Sequence, residues 1–306
     1  MPVRLALKID VDTERGTRIG IPNILADLRR TGLPATFFLS LGPDNTGRAI
    51  TRIFRPGFLA KVGRTNVVGL YGWRTLLNGT LLPAPHIARC HSSLMRLVTA
   101  CGFEAGIHCH DHYYWQDYVH SMPPGDVQAE LAAARREFFA VYGTEAVCAA
   151  APGWQANATS RDAYDRASLL YASDSRGVCP YFPRIDGRTF SVLEIPTTLP
   201  TLDELIGRPE YPEHRIVPHL LSLLSSSRLN VFTLHAEIEG MKKRPLFAEF
   251  LGALRTHGVE VVSLTQAARD CLARRDKIPV CALEQSPVDG RSGLLAVQGP
   301  ASLPPT

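Results

Sequence analysis

Val3-Arg4-Leu5-Ala6-Leu7-Lys8-Ile9-Asp10-Val11-Asp12-Thr13 is an apolar, strand-like run (Val3–Ile9) that ends in two carboxylates. Residues i and i+2 of an extended strand project to the same side, so Asp10 and Asp12 point together. Two carboxylates that close repel one another. A cation on one leaves the other as an ionised neighbour able to take a proton from water. A pair of turn-capping aspartates would read the same way if nothing else accompanied it.

Other runs of this kind follow: Ala35–Ser40, Phe103–His108, Ala146–Ala150, Leu169–Ala172, Val192–Ile195, Leu229–His235 and Val259–Val262. Helical periods lie between several of them. Val127, Leu131, Ala134, Phe138 and Val141 make one apolar stripe at three-to-four-residue spacing. Ser263-Leu264-Thr265-Gln266 has the form of a capping box opening the last helix. This alternation predicts a mainly parallel sheet, doubly wound or closed into a barrel. The polar residues decide between the two. Asp10 and Asp12, His108, the Pro152-Gly153-Trp154 turn, Asp174 and His235 all fall at or just after the C-terminal end of a run. In a βα barrel that rim is where strands aim side chains and loops diverge, so the chain is expected to be a distorted (β/α) barrel.

His108-Cys109-His110-Asp111-His112 closes the third run. His108 and His112 are four apart, a spacing that suits one helical turn or a tight loop gripping one ion. With Asp12 they provide two imidazoles and a carboxylate for a divalent metal. Zinc is the first expectation, although cobalt, manganese and iron suit the same donors. His110 is expected to point away. Asp111 is either an orienting partner for a ligand histidine or a plain loop aspartate. His235, ending an apolar run, is either a satisfied core histidine or the general acid of the same site.

With 306 residues the chain can bury a large core in one α/β domain or two smaller ones. Its 45% hydrophobic and 20% charged content is that of an ordinary folded protein. A net charge of +4 is too small to argue for nucleic acid, and no nucleic-acid-reading motif accompanies it. Seven cysteines, several of them in apolar runs, read as reduced thiols of a cytoplasmic protein. No basic-then-apolar leader and no bilayer-length apolar stretch is visible. After Lys277 the composition turns to Pro, Gly and Ser without periodicity. A catalytic unit over 1–276 and a loosely ordered tail over 277–306 are therefore expected.

Together, Asp10-x-Asp12, His108-x-x-x-His112, Pro152-Gly153-Trp154, Asp174 and His235 resemble the polysaccharide deacetylase (NodB-homology) family. That resemblance implies a metal-dependent amide hydrolase on a distorted βα barrel. Asp10 would be the base, Asp12, His108 and His112 the metal ligands, and His235 the acid. A narrower set of motifs is similar to the 4-deoxy-4-formamido-L-arabinose-phosphoundecaprenol deformylases: Ile9–Arg18, Gly42-Pro43-Asp44-Asn45, Leu70-Tyr71-Gly72-Trp73, Ser173–Gly177, Ile195–Thr201 and Thr233–Gly240. It implies a formamido sugar on undecaprenyl phosphate as substrate, and a part in lipid A modification and resistance to cationic peptides. The resemblance runs from about Val3 to about Leu272. One feature departs from the wider family, which carries an arginine two residues before the proline to hold the base. Here that position is Ala150, and Arg176, with Arg15 behind it, is the expected substitute. Trp154, Asp174, Tyr71 and Trp73 are expected around the substrate. A deacetylase of another aminosugar or polysaccharide, or a non-catalytic lipid- or sugar-binding protein, would carry much of the same pattern.

Residues 43–90 form a long insertion. Within it Arg48, Arg52, Arg55, Lys61 and Arg64 interleave with Ile50, Ile53, Phe54, Phe58, Leu59 and Val62. On a helix, Ile50, Phe54 and Phe58 share a side, as in a basic amphipathic segment lying on a membrane surface or packed on the barrel. With the lipid-linked substrate that the resemblance implies, the expectation is peripheral contact with the anionic inner face of the inner membrane.

Overall fold

A computed structural model describes residues 2–49 and 72–301. Its strands are β1 (Arg4–Val11), β2 (Thr36–Ser40), β3 (Glu104–Cys109), β4 (Cys148–Ala149), β5 (Tyr171–Ala172), β6 (Phe182–Ile185), β7 (Arg188–Thr189), β8 (Leu193–Glu194), β9 (Leu229–His235), β10 (Glu260–Val262), β11 (Val280–Pro287) and β12 (Leu294–Ala301). All eight runs expected from the sequence are strands. The three between residues 146 and 195 shrink to two residues each, so the barrel wall is thinnest there.

The main sheet is parallel at every pairing, with neighbours in the order β9-β1-β2-β3-β4-β5-β8. β10 lies beside the first half of β1, along Arg4–Ala6, and β2 takes over the same edge from Lys8 onward. The wall is closed without a further strand pair: the N–H groups of Thr198 and Leu199, just past β8, both donate to the Val231 carbonyl of β9 at 3.1 Å. The chain is therefore a distorted (β/α) barrel, as the alternation and the placing of polar residues predicted.

Strand parity divides the core. Leu5, Leu7, Ile9 and Val11 of β1 face outward into the layer packed under the helices. Ala6 faces inward, among Phe38, Ala150, Tyr171, Ile195 and Val231. Lys8 and Asp10 share that inward parity. The helix Pro124–Tyr142 buries Val127, Leu131, Ala134, Phe138 and Val141, the stripe read from spacing. The last helix, Leu264–Leu272, is capped by Ser263, which accepts from the Gln266 N–H at 3.2 Å. The reciprocal half of that box is absent, because the Gln266 amide donates instead to Asp270 at 2.7 Å.

The expected loose tail is, from 277 to 301, an ordered part of the fold. β11 and β12 form an antiparallel hairpin, and β11 joins β6 in parallel, giving a second sheet in the order β12-β11-β6-β7. Cys281, Leu283 and Ala296 are buried with Tyr181 and Ala156, which supplies the apolar anchor that composition hid. Asp289-Gly290 stands in the connecting turn, with Gly290 at φ +80°, a position glycine fills without strain. The boundary at 276/277 therefore marks no end of the packed unit. The basic segment 48–64 and Tyr71 lie almost wholly outside the described residues; Arg48, at its start, donates to the Gly79 carbonyl at 3.0 Å. Among the described residues no helix is long and apolar enough to cross a membrane.

Candidate active site

β1 delivers Asp10 and Asp12 to the C-terminal rim, where Asp10 sits in register with His235 of β9. Neighbours in register across parallel strands present their side chains to one face, so base and acid candidates flank each other. β3 reaches the same rim through an irregularity. Leu39 pairs with Ile107 but Ser40 pairs with Cys109, leaving His108 as an extra residue in the ladder. Such a bulge re-aims the side chain beside it.

His112 is the first residue of the helix His112–Tyr118, and Asp111 caps that helix by accepting the Tyr114 N–H at 3.0 Å. The other Asp111 oxygen accepts from Asn45 at 2.6 Å, so its role is to pin the loop rather than to orient a histidine. His110 turns away toward Glu130, as expected.

Asp12, His108 and His112 converge. Each offers a ligand atom within 4.8 Å of the others. Asp12 Oδ1 lies 3.3 Å from His108 Nε2 and 3.5 Å from His112 Nε2, and it makes no hydrogen bond. Two ligands of a tetrahedral cation, each about 2.0–2.1 Å from it, stand roughly 3.4 Å apart, so the spacing fits a metal. His108 Nδ1 is 2.6 Å from the Ala150 carbonyl and donates to it, which leaves Nε2 with a lone pair facing the cluster. Burial works against the Asp12 charge, but His112, His108 and His235 together hold its carboxyl well below the usual range.

Behind the cluster stands Glu237, fully buried. Its Oε1 accepts from the Asp12 and Thr13 N–H groups and from the Thr13 hydroxyl, at 3.1, 2.9 and 2.7 Å, and so fixes the turn that aims Asp12. Gly16 makes room for it: a Cβ there would lie 1.9 Å from Glu237 Oε1. Burial and the neighbouring Asp12 push the Glu237 carboxyl well above its ordinary range.

His235 is held from two sides. Its N–H donates to Glu239 Oε2 at 2.9 Å, and its ring Nδ1 faces Asp203 Oδ1 at 3.9 Å. Asp203 is clamped by Arg291, from the turn of the C-terminal hairpin, through contacts of 2.8 and 2.9 Å. Arg291 also stacks over Trp154, 4.6 Å from its ring. Trp154 lies edge-on to His235 and donates its indole N–H to Thr197 at 3.0 Å. Gly153 and Trp154 both have left-handed backbones, at φ +59° and +53°. For the tryptophan this costs about 1–3 kcal/mol, offset by the contacts that lock the ring.

Burial pushes the Glu239 carboxyl up to about 8. Between the ordinary glutamate value, about 4.3, and 8 the native state therefore binds a proton that the unfolded chain has released. Stability must fall as pH rises through that window. Glu239→Gln keeps the acceptor for the His235 N–H and removes the titration. Denaturant midpoints should show the wild type losing on the order of a few kcal/mol relative to this variant from pH 4.5 to 8. Parallel curves would exclude a protonated Glu239.

The structure relocates several expected residues. Arg176 does not reach Asp10: its guanidinium bonds Glu204 and the Leu199 carbonyl and lies 5.2 Å from the Trp154 ring. Arg15 runs toward Gly72, whose Cβ would meet its guanidinium at 2.6 Å. Neither arginine takes the place that Ala150 leaves open. Asp174 is fully buried beneath the site, accepting the Ala151 N–H at 2.7 Å, and burial with the Glu194 charge pushes it up to about 7. Trp73 is 65% exposed, and Tyr71 is outside the described residues. Lys8, Asp203, Glu237, Glu239 and Arg291 were not among the expected site residues. A lysine at inward parity in a buried strand, and two glutamates two and four residues after His235, were the available signals.

No family model matches the chain. It is 33% identical, over 96% of its length and 94% of the relative's, to the "Probable 4-deoxy-4-formamido-L-arabinose-phosphoundecaprenol deformylase ArnD" of Shewanella sediminis (strain HAW-EB3). The protein of the same name from Wigglesworthia glossinidia brevipalpis is 29% identical, over 92% of this chain and 98% of that one. Among solved structures, a Mycobacterium smegmatis protein assigned to the polysaccharide deacetylases superposes with a TM-score of 0.64, covering 93% of this chain and 94% of that one at 16% identity. A "CE4 family pseudoenzyme" from Bacillus anthracis superposes with a TM-score of 0.52 at 13% identity, covering 87% of this chain and 66% of that one. Since a pseudoenzyme shares the fold, chemistry has to be argued from the side chains.

Proposed function

The chain belongs to the family of 4-deoxy-4-formamido-L-arabinose-phosphoundecaprenol deformylases, and from that premise we propose that it hydrolyses the formamide of this lipid-linked sugar. Water adds across the C–N bond, the sugar keeps a free amine, and formate departs. This reaction would serve lipid A modification. The observation that carries the reading is the meeting of Asp12, His108 and His112 with Asp10 and His235 on one rim.

Asp12, His108 and His112 would hold a divalent cation, with zinc the first expectation. When bound, such a cation supplies a Lewis acid that polarises the formyl oxygen and acidifies water. Asp10 takes the proton of the attacking water through Oδ1, which makes no hydrogen bond of its own. His235, with Nδ1 turned to Asp203, delivers a proton from Nε2 to the departing amine nitrogen. Loss of that proton-laden nitrogen completes C–N cleavage. The backbone N–H of Trp154 donates to the Ala151 carbonyl at 3.3 Å, so it is not counted among donors for the developing oxyanion.

Incubating the protein with the formylated and the acetylated lipid-linked sugar separates the readings. Formate release from the first, with little acetate from the second, is expected. Acetate release alone would make it a deacetylase, and no release from either would overturn the reading. Contact of the 43–90 segment with the anionic inner face of the inner membrane belongs to the same proposal. Its readout is retention on anionic but not neutral vesicles.

A further inference from the structure

Lys8 has no exposed surface. It stands in the middle of β1, at the inward parity shared with Ala6 and Asp10, among the apolar side chains of the barrel interior. Burying an ammonium costs several kcal/mol unless its surroundings compensate. The compensations around Nζ are few and directional. The Ser173 carbonyl accepts from it at 2.7 Å, and the rings of Phe38 and Trp154 lie 5.7 and 5.5 Å away. The fourth is Asp10 Oδ2 at 3.5 Å. The two oxygens of Asp10 are thus unequal: Oδ2 faces a fixed cation, while Oδ1 is buried and makes no hydrogen bond.

We propose that Lys8 is the positioning residue of the base, tethering Asp10 by Oδ2 so that Oδ1 alone is presented to the reacting water. The cation that Ala150 cannot supply comes from within the same strand, two residues ahead of the base. Because i and i+2 side chains of a strand project together, this placing needs no contribution from a loop. Ser173, just past β5, and Trp154, in the turn after β4, fix the ammonium in turn. The proposal rests on the amide-hydrolase reading above.

Lys8→Met, Lys8→Arg, Asp10→Asn and the double variant Asp10→Asn/Lys8→Met form the test, with kcat, KM and bound metal as readouts. Lys8→Met should lower kcat by about 10²-fold, the scale set by misplacing a catalytic group by about 1 Å. KM and metal content should stay at wild-type values, since Lys8 touches none of the three ligand side chains. Lys8→Arg should recover part of the loss. In the Asp10→Asn background, adding Lys8→Met should cost nothing further, because there is no longer a base to position. A lysine that only supports the fold would instead multiply the two losses, and that result, or wild-type kcat in Lys8→Met, overturns the proposal. If Lys8→Met does not fold, Asp10→Asn against the double variant decides alone, since the double variant leaves no unpaired carboxylate. The cycle is run on whichever amide the wild type cleaves, so a failure of the formyl assignment leaves it intact. A wild type that cleaves no amide removes both.

Discussion

Asp10→Asn should lower formate release by about 10²–10⁴-fold and leave any metal held by Asp12, His108 and His112 in place. The substitution preserves shape, removes the ability to accept a proton and neutralises the oxygen that faces Lys8 at 3.5 Å. Asp10 lies outside the three-residue ligand cluster, and its Oδ1 has no structural hydrogen bond to lose. His235→Ala should fall by a similar factor, for the opposite step. Its neighbour in register is Asp10 itself, so the two variants probe the two halves of one proton circuit. Formate assays paired with elemental analysis check both. Wild-type-like release by either variant would overturn its assigned role.

Asp12→Ala should lose the metal and the activity together. Even partners one shell removed from a metal are worth about 10–100-fold in affinity or turnover, and Asp12 is expected to contribute a ligand directly. The losses should therefore exceed about 100-fold at metal concentrations that saturate the wild type. A chelator should silence the wild type, and added metal should restore it. The same addition should leave Asp12→Ala silent. Metal retained at full stoichiometry in Asp12→Ala would place the site elsewhere. The contrast between the two aspartates is the sharpest feature of the pair: one variant empties the site, the other leaves it filled and inert.

Much of this was legible in the chain because strand ends are marked twice, once by the stop of an apolar run and once by the polar residue that follows. Asp10, Asp12, His108 and His235 carry that double mark. Parity along β1 would also have exposed Lys8, a charge on the inward face of a buried strand. It was obscured by the wider family's arginine, which directed attention to Arg176. Linear sequence could not show that Arg176 is already engaged by Glu204 and Leu199. The hairpin β11–β12 was missed for a different reason. Its buried residues are few, Cys281, Leu283, Leu295 and Ala296, and β11 finds its parallel partner on a segment about a hundred residues earlier. Composition registers hydrophobic mass, and this hairpin is held as much by strand pairing and by Arg291 as by mass.

The clamp that Arg291 places on Asp203 has a bearing on biogenesis. Chains generally fold from the N-terminus as they are made, and here β1 with the two aspartates at its end precedes every other part of the centre in the sequence. The proton-donating half of the centre is braced by a cation from the β11–β12 hairpin, far along the chain from His235. A nascent polypeptide released before Arg291 would hold its metal ligands and its base but lack the brace behind its acid. The brace behind the acid is therefore in place only once β11 and β12 have paired, which ties proton donation to the second sheet.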